Sequence, residues 1–155
     1  MALRETVLKL VAPLFIENPA QKQSFAQLTL RLEKSQGEIA NRINAVKTQN
    51  LEKHRATLRH IIGIERWGTS RLKVALGEAF KRDGQKDYHP DPNSDFSALF
   101  EDFNITRVET LRVAKLVEQQ NPNAKIEHNG FGPLSIKGWL AYLNILASME
   151  SQKLR

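Results

Sequence analysis

Residues 58–76 read LRHIIGIERWGTSRLKVAL, and the spacing of their apolar side chains decides the fold. Leu58, Ile61, Ile62, Leu72 and Leu76 recur at helical intervals and mark one face of an α-helix rather than of a strand. Gly63 and Gly68 leave bare places on that helix where another part of the chain can come close. His60 and Trp67 lie on the flank of the face, together with Gly63. Glu65 falls on the face itself, between Ile61/Ile62 and Leu72, and a carboxylate there must find a proton, a cation or donors once the face is covered.

Toward the N-terminus, Leu3, Val7, Leu10, Val11 and Leu14 predict a short amphipathic helix over residues 2–14, ended by Pro13 and then by Asn18-Pro19. A second helix is expected from Pro19, with Asn18 as its cap and Phe25, Leu28 and Leu32 as its stripe. Residues 35–37 read as a turn, after which Ile39, Ile43 and Val46 resume a helical pattern, and residues 47–50 lead into the organising helix. Toward the C-terminus, residues 77–93 are polar and turn-rich, which predicts a long surface connection. Asn93 or Ser94 then caps a helix whose face carries Phe96, Leu99, Phe100, Phe103, Leu111, Ala114 and Val117, with Arg107 and Thr110 on the same sector. Residues 123–134 read as a second loop, and Ser135 caps a last helix with Trp139, Leu143, Leu146 and Glu150 on one stripe. No convincing strand alternation is present, so the expected class is all-α, in a single domain over residues 1–155.

The composition narrows the partners. With 41% hydrophobic and 26% charged residues the chain has the make-up of an ordinary globular protein. The absence of cysteine excludes disulfides, thiolate ligands and a cysteine nucleophile in this chain, and fits a cytoplasmic location. No apolar run approaches the roughly 20 residues of a membrane span, so no membrane partner is expected. The net charge of +6 raises nucleic acid as a partner, but the 23 Lys and Arg are interleaved with 17 acids and form no cluster with stacking aromatics. That pattern disfavours nucleic acid.

Candidate site residues come from three helices: His60 and Glu65 from the organising helix, Arg107 from the next, Glu150 from the last. Inward polar side chains on facing helices build metal and cofactor sites, and they also build plain buried ion pairs among Glu65, Arg107 and Glu150. Arg107 and Trp67 are the candidate cofactor contacts, although Trp67 and Trp139 read first as core. His54 sits among Glu52, Lys53 and Arg55 on what reads as a wet surface, and His89 and His128 fall in loops. No HExxH, CxxC, GxSxG or GxxxxGK pattern occurs.

The run LRHIIGIERW (residues 58–67), the pair Thr106-Arg107 followed by Thr110-Leu111, and Gly132-Pro133-Leu134-Ser135 leading into Trp139-Leu140 resemble the DinB-like (YfiT-type) superfamily, from about residue 20 onward. The resemblance implies an up-down-down-up four-helix bundle with an extra N-terminal helical segment, commonly dimeric. It also implies a divalent metal, zinc or nickel, held by one histidine of the second bundle helix and two on the last. Carried over by position, His60 matches the first ligand, and the last-helix pair falls at Leu146 and Glu150. Leu146 has no donor atom. His60 and Glu150 alone hold a metal weakly or not at all, unless Glu65, Asn144 or water completes the shell. The reading that follows is a DinB-like small-molecule-binding or homodimeric interaction bundle with a degenerate metal site. The alternative is a metal-dependent thiol transferase or hydrolase-like enzyme using a site around His60.

Overall fold

The computed structural model describes residues 2–46 and 51–155, so the expected lead-in at residues 47–50 lies outside the described residues. The chain is mostly helical, with one small sheet. Its central element is the helix Leu51–Val74 (α4), which covers residues 58–74 of the expected stretch, stops short of Leu76 and reaches back to Leu51. Buried residues line nearly all sides of α4, including Leu58, Ile61, Ile62, Glu65, Trp67, Arg71 and Leu72, so neighbours surround it. It ends in a Schellman arrangement. The N–H of Glu78 reaches the Lys73 carbonyl and that of Gly77 reaches Val74, with Gly77 at φ 102°, a conformation that suits glycine.

Before α4, the N-terminal segment is helical over Ala2–Ala12 (α1), passes through a π-helical stretch Pro13–Glu17, and ends in the short turn of helix Asn18–Gln21 (α2). Pro13 has no N–H to give, and the Asn18 N–H reaches back five residues to the Pro13 carbonyl, so the ladder widens at proline instead of ending. The next helix, Phe25–Ala45 (α3), therefore starts six residues later than expected. Ser24 caps it by accepting from the Gln27 N–H, while the Gln27 side chain accepts from the Ser24 N–H. The turn expected at residues 35–37 is absent, because α3 runs through it with Ser35 donating to the Leu32 carbonyl.

After α4 the connection carries a 3₁₀ turn, Gln85–Tyr88, that packs back on it. Asp95, rather than its neighbours Asn93 or Ser94, caps the helix Phe96–Gln120 (α5) by accepting from the Ala98 N–H. The loop expected over residues 123–134 folds instead into an antiparallel hairpin, Lys125–His128 (β1) and Gly132–Ser135 (β2), with Ile126 opposite Leu134. Strands of four residues are too short for alternation to show in the sequence. Ser135 caps Ile136–Ser151 (α6) as expected, and Glu17 adds a carboxylate there by accepting from the Ser135 N–H and hydroxyl.

Helix α4 packs on α5 and α6, and α3 packs on the other side of the same two helices. Side-chain contacts give the directions. Arg66 meets Thr106 and the Ala75 carbonyl meets Asn121, so α4 and α5 run the same way. Gly68 lies against Leu143 and Ile61 shares a cluster with Ala147, so α4 and α6 run oppositely. One apolar cluster gathers around Trp67, Trp139, Leu72 and Val117, and a second at the far end gathers Ile39, Ile43, Leu58, Ile62 and Phe103.

Candidate functional site

The buried polar residues of α4 and α5 meet at the middle of their shared seam. Arg107 is fully buried and spends every guanidinium nitrogen. Nε and Nη2 donate to the two Glu65 oxygens at 2.6 and 2.9 Å, while Nη1 donates to the Leu32 carbonyl at 2.6 Å and to Ser35 at 2.9 Å. Thr110 donates to Glu65 Oε1 at 2.9 Å, and its oxygen is 2.9 Å from the Thr69 hydroxyl, which is thereby free to donate toward Thr110. The network joins α3, α4 and α5 and uses four of the five N–H groups of a fully buried Arg107, which supports a structural role for it rather than the expected cofactor contact.

Toward solvent, the same seam opens into a cleft of about 400 Å³. Arg66, Thr69, Ser70 and Lys73 form its α4 wall, Ile105, Thr106 and Glu109 its α5 wall, and Tyr88 of the 3₁₀ turn closes one side. Arg66 is loosely held, 3.5 Å from Asp102 and 3.4 Å from the Thr106 hydroxyl. Lys73 lies 3.2 Å from Glu109, which also accepts from Arg112 Nε and Nη2 at 2.8 Å each. Arg112 first, and then Lys73, hold the Glu109 carboxyl down to about 2 against the opposing effect of burial. Tyr88 donates to Asp83 at 2.7 Å. Burial pushes the Tyr88 phenol upward, and the Ser70 hydroxyl offsets this only partly. Burial would raise the Asp83 carboxyl, but Tyr88 and Arg71 outweigh it and hold it below its ordinary value.

The remaining sequence candidates are scattered. His60 is half-buried on α4 with its ring edge-on to His89, 5.8 Å between centroids. Glu150 pairs with Lys153 at 2.6 Å near the end of α6. Leu146 lines an apolar hollow with Phe15, Ile16, Phe131 and Tyr142. Glu65 is committed to Arg107. Among the described residues no three His, Asp or Glu side chains are grouped to hold a metal ion, so the donor set does not fit the divalent metal that the resemblance implies.

Trp67 is 4% exposed and packs edge-on against His128 and Trp139, with the Arg71 guanidinium 5.1 Å from its ring. It is core, the first reading of this tryptophan, and is not among the residues that line the α4–α5 cleft. Arg71, unremarked in the sequence, is buried and pairs with Asp83 at 2.9 Å. Its only sequence signal is its position one turn after Trp67. His128 is buried at the end of β1, where its Nδ1 accepts from the Gly130 and Phe131 N–H groups and so leaves the hydrogen on Nε2. Burial, and then the charge of Arg71, push it down to about 4. His54, expected on a wet surface, is 3% exposed. No helix among the described residues is long and apolar enough to cross a membrane. No family model, curated protein or solved structure matches this chain.

Proposed function

We propose that the chain is an up-down-down-up four-helix bundle of DinB-like type, with α1 and α2 as the extra N-terminal segment, that binds a small polar molecule in the α4–α5 cleft and works as a homodimer. The parallel run of α4 and α5 and the antiparallel run of α4 and α6 support that connectivity. The observation that carries the function is the wall of the cleft itself. Arg66 and Lys73 stand two turns apart, about 10 Å along the helix, with the Thr69 and Ser70 hydroxyls between them. A molecule with a carboxylate at one end and hydroxyl groups along its length matches that wall, because the Thr69 and Ser70 hydroxyls already donate to Thr110 and to the Trp67 carbonyl and are left to accept. Arg66 is the better anchor, because its present contacts are long and its planar fork suits a carboxylate. The metal-dependent alternative has no assembled ligand set in its support, and no step is routed through a metal.

A library of small carboxylates, screened by amide chemical-shift changes in the labelled protein, tests this reading. Binders should move the signals of Arg66, Ser70, Tyr88 and Ile105 together, and Arg66→Met should weaken them by roughly tenfold without changing the melting temperature. Shifts centred instead on the apolar hollow at Phe15 and Leu146, or unchanged affinity in Arg66→Met, would overturn it.

A further inference from the structure

The opposite end of α4 carries a second arrangement that the cleft does not use. A hollow of about 520 Å³ lies between the first turn of α4 and the end of α6, lined by Lys53, His54, Met149, Gln152, Lys153 and Arg155. Its inner wall is His54, which is 3% exposed and has no hydrogen-bond partner on either ring nitrogen. An imidazole always carries at least one N–H, and burying that donor without an acceptor is costly, so a partner is called for. The hollow has the opposite character to an acceptor. Three cationic side chains border it, Lys53, Arg155 and Lys153, the last also paired with Glu150 at 2.6 Å. The nearby carboxylates are already engaged: Glu52 with Arg55, and Glu150 with Lys153.

We propose that this hollow binds a small phosphomonoester, whose phosphate oxygens accept from the His54 ring N–H and face Lys53, Lys153 and Arg155. A phosphomonoester suits it better than a carboxylate. It carries close to two negative charges at neutral pH and several acceptor oxygens, matching several cations and a buried donor that converge on one place. The volume falls within the range of small-molecule pockets, roughly 300 to 1,000 Å³, so room remains beyond the phosphate for an organic group, and Met149 offers an apolar side to it.

Phenyl phosphate and inorganic phosphate are the probes, titrated separately into the full chain while the His54 ring signals are followed by NMR. Phenyl phosphate should bind saturably, with a dissociation constant on the order of 1 mM or below, and tighter than inorganic phosphate, moving His54 and the Met149 methyl together. His54→Gln should weaken it by roughly tenfold. Because a buried substitution can also unfold the chain, Lys153→Gln with Arg155→Gln provides a second reading at exposed positions, with the same expected loss. Shifts that spread over many lysines without saturating would overturn the proposal, as would unchanged affinity in the Lys153/Arg155 variant. A short single-stranded DNA that displaces phenyl phosphate and binds more tightly as it lengthens would also overturn it, by making the hollow part of a nucleic-acid surface.

Discussion

Arg107 shows how a single residue ties three helices. Its guanidinium is fully buried, and Glu65 meets it with both oxygens while Leu32 and Ser35 take the remaining nitrogen. Arg107→Met leaves the Glu65 carboxylate buried without its cation, a loss on the order of 3 to 5 kcal/mol, and urea denaturation should show it. Arg107→Lys should recover little, since an ammonium cannot form the two-pronged contact. A variant as stable as the parent would contradict the geometry. His128 makes a prediction of a different kind. Its imidazole titrates near 6.5 in the unfolded chain and at about 4 in the folded one, so the unfolded state binds the proton more tightly. Its contribution to stability is complete above pH 6.5 and is lost as the pH falls toward 4, by about 3 kcal/mol in all. Burial, and then the charges of His60, Arg59 and Lys86, lower His89 in the same direction. Carboxylates titrate in the same interval, so the comparison is with His128→Asn, whose side-chain oxygen can still accept from Gly130 and Phe131. Its stability should fall less steeply between pH 6.5 and 4.5. Equal slopes would show that His128 is not buried as a neutral ring. The Glu65–Arg107 pair was legible because both residues lie on apolar stripes. His54 was not, because its neighbours Glu52, Lys53 and Arg55 look solvated, and it is the remote tail around Leu154, buried against Leu58 and Ile62, that closes this end of the molecule.

At the scale of elements, helical faces were readable and helix ends were not. The stripes of α4 and α5 largely follow the expected residues, since a face needs only period, whereas on α6 Trp139 and Leu143 are buried but Leu146 and Glu150 are half-buried. The start of α3 moved from Pro19 to Phe25 because a reciprocal cap at Ser24 and Gln27 satisfies more backbone donors than Asn18 alone could, and a π-helical stretch absorbs Pro13. The hairpin stayed hidden because its inward residues Ile126, His128 and Leu134 are too few to show a period, and one of them is a histidine. Two glycines test the element boundaries. Gly37, which reads as a turn residue, lies inside α3 with open space where a Cβ would stand. Gly37→Ala should therefore raise stability by up to about 1 kcal/mol, the helix-propensity difference. Gly68 also lies in a helix, but a Cβ there would overlap the Leu143 side chain, so the same gain is opposed by overpacking of about 1 to 3 kcal/mol. Gly68→Ala should be destabilising in the same denaturation experiment. A loss of stability in Gly37→Ala would mean that the chain turns at residues 35–37 after all.

The arrangement of the whole molecule was legible only where one connection forced it. Parallel neighbours such as α4 and α5 need a crossing segment, and the turn-rich residues 77–93 announced one. What packs on α4 could not be read, because apolar stripes do not say which stripe they meet; Gly63 and Gly68 are covered by the His89 and Leu143 side chains. Ile64 on α4 is buried at 3% exposure and offers nothing to a subunit contact. A different surface is left open. Along α1 and its continuation, Leu3, Val7, Leu10 and Leu14 are 81%, 49%, 69% and 64% exposed, and their steps of four, three and four place them on one side of a helix. Phe15, Ile145 and Met149 continue the apolar surface around the hollow beside Leu146, at 70%, 38% and 58% exposure. Single exposed apolar residues are ordinary, but a run of this length is the surface on which the proposed homodimer would close. Its heptad-like spacing suits the same helix of a second copy, related by a two-fold axis. Sedimentation equilibrium at micromolar concentration should therefore give about twice the chain mass. Leu10→Asp should give the single chain mass with an unchanged circular dichroism spectrum, because Leu10 contributes so little to the core of its own chain. A wild-type protein that sediments as a monomer, or a Leu10→Asp variant that remains dimeric, would exclude α1 as the interface.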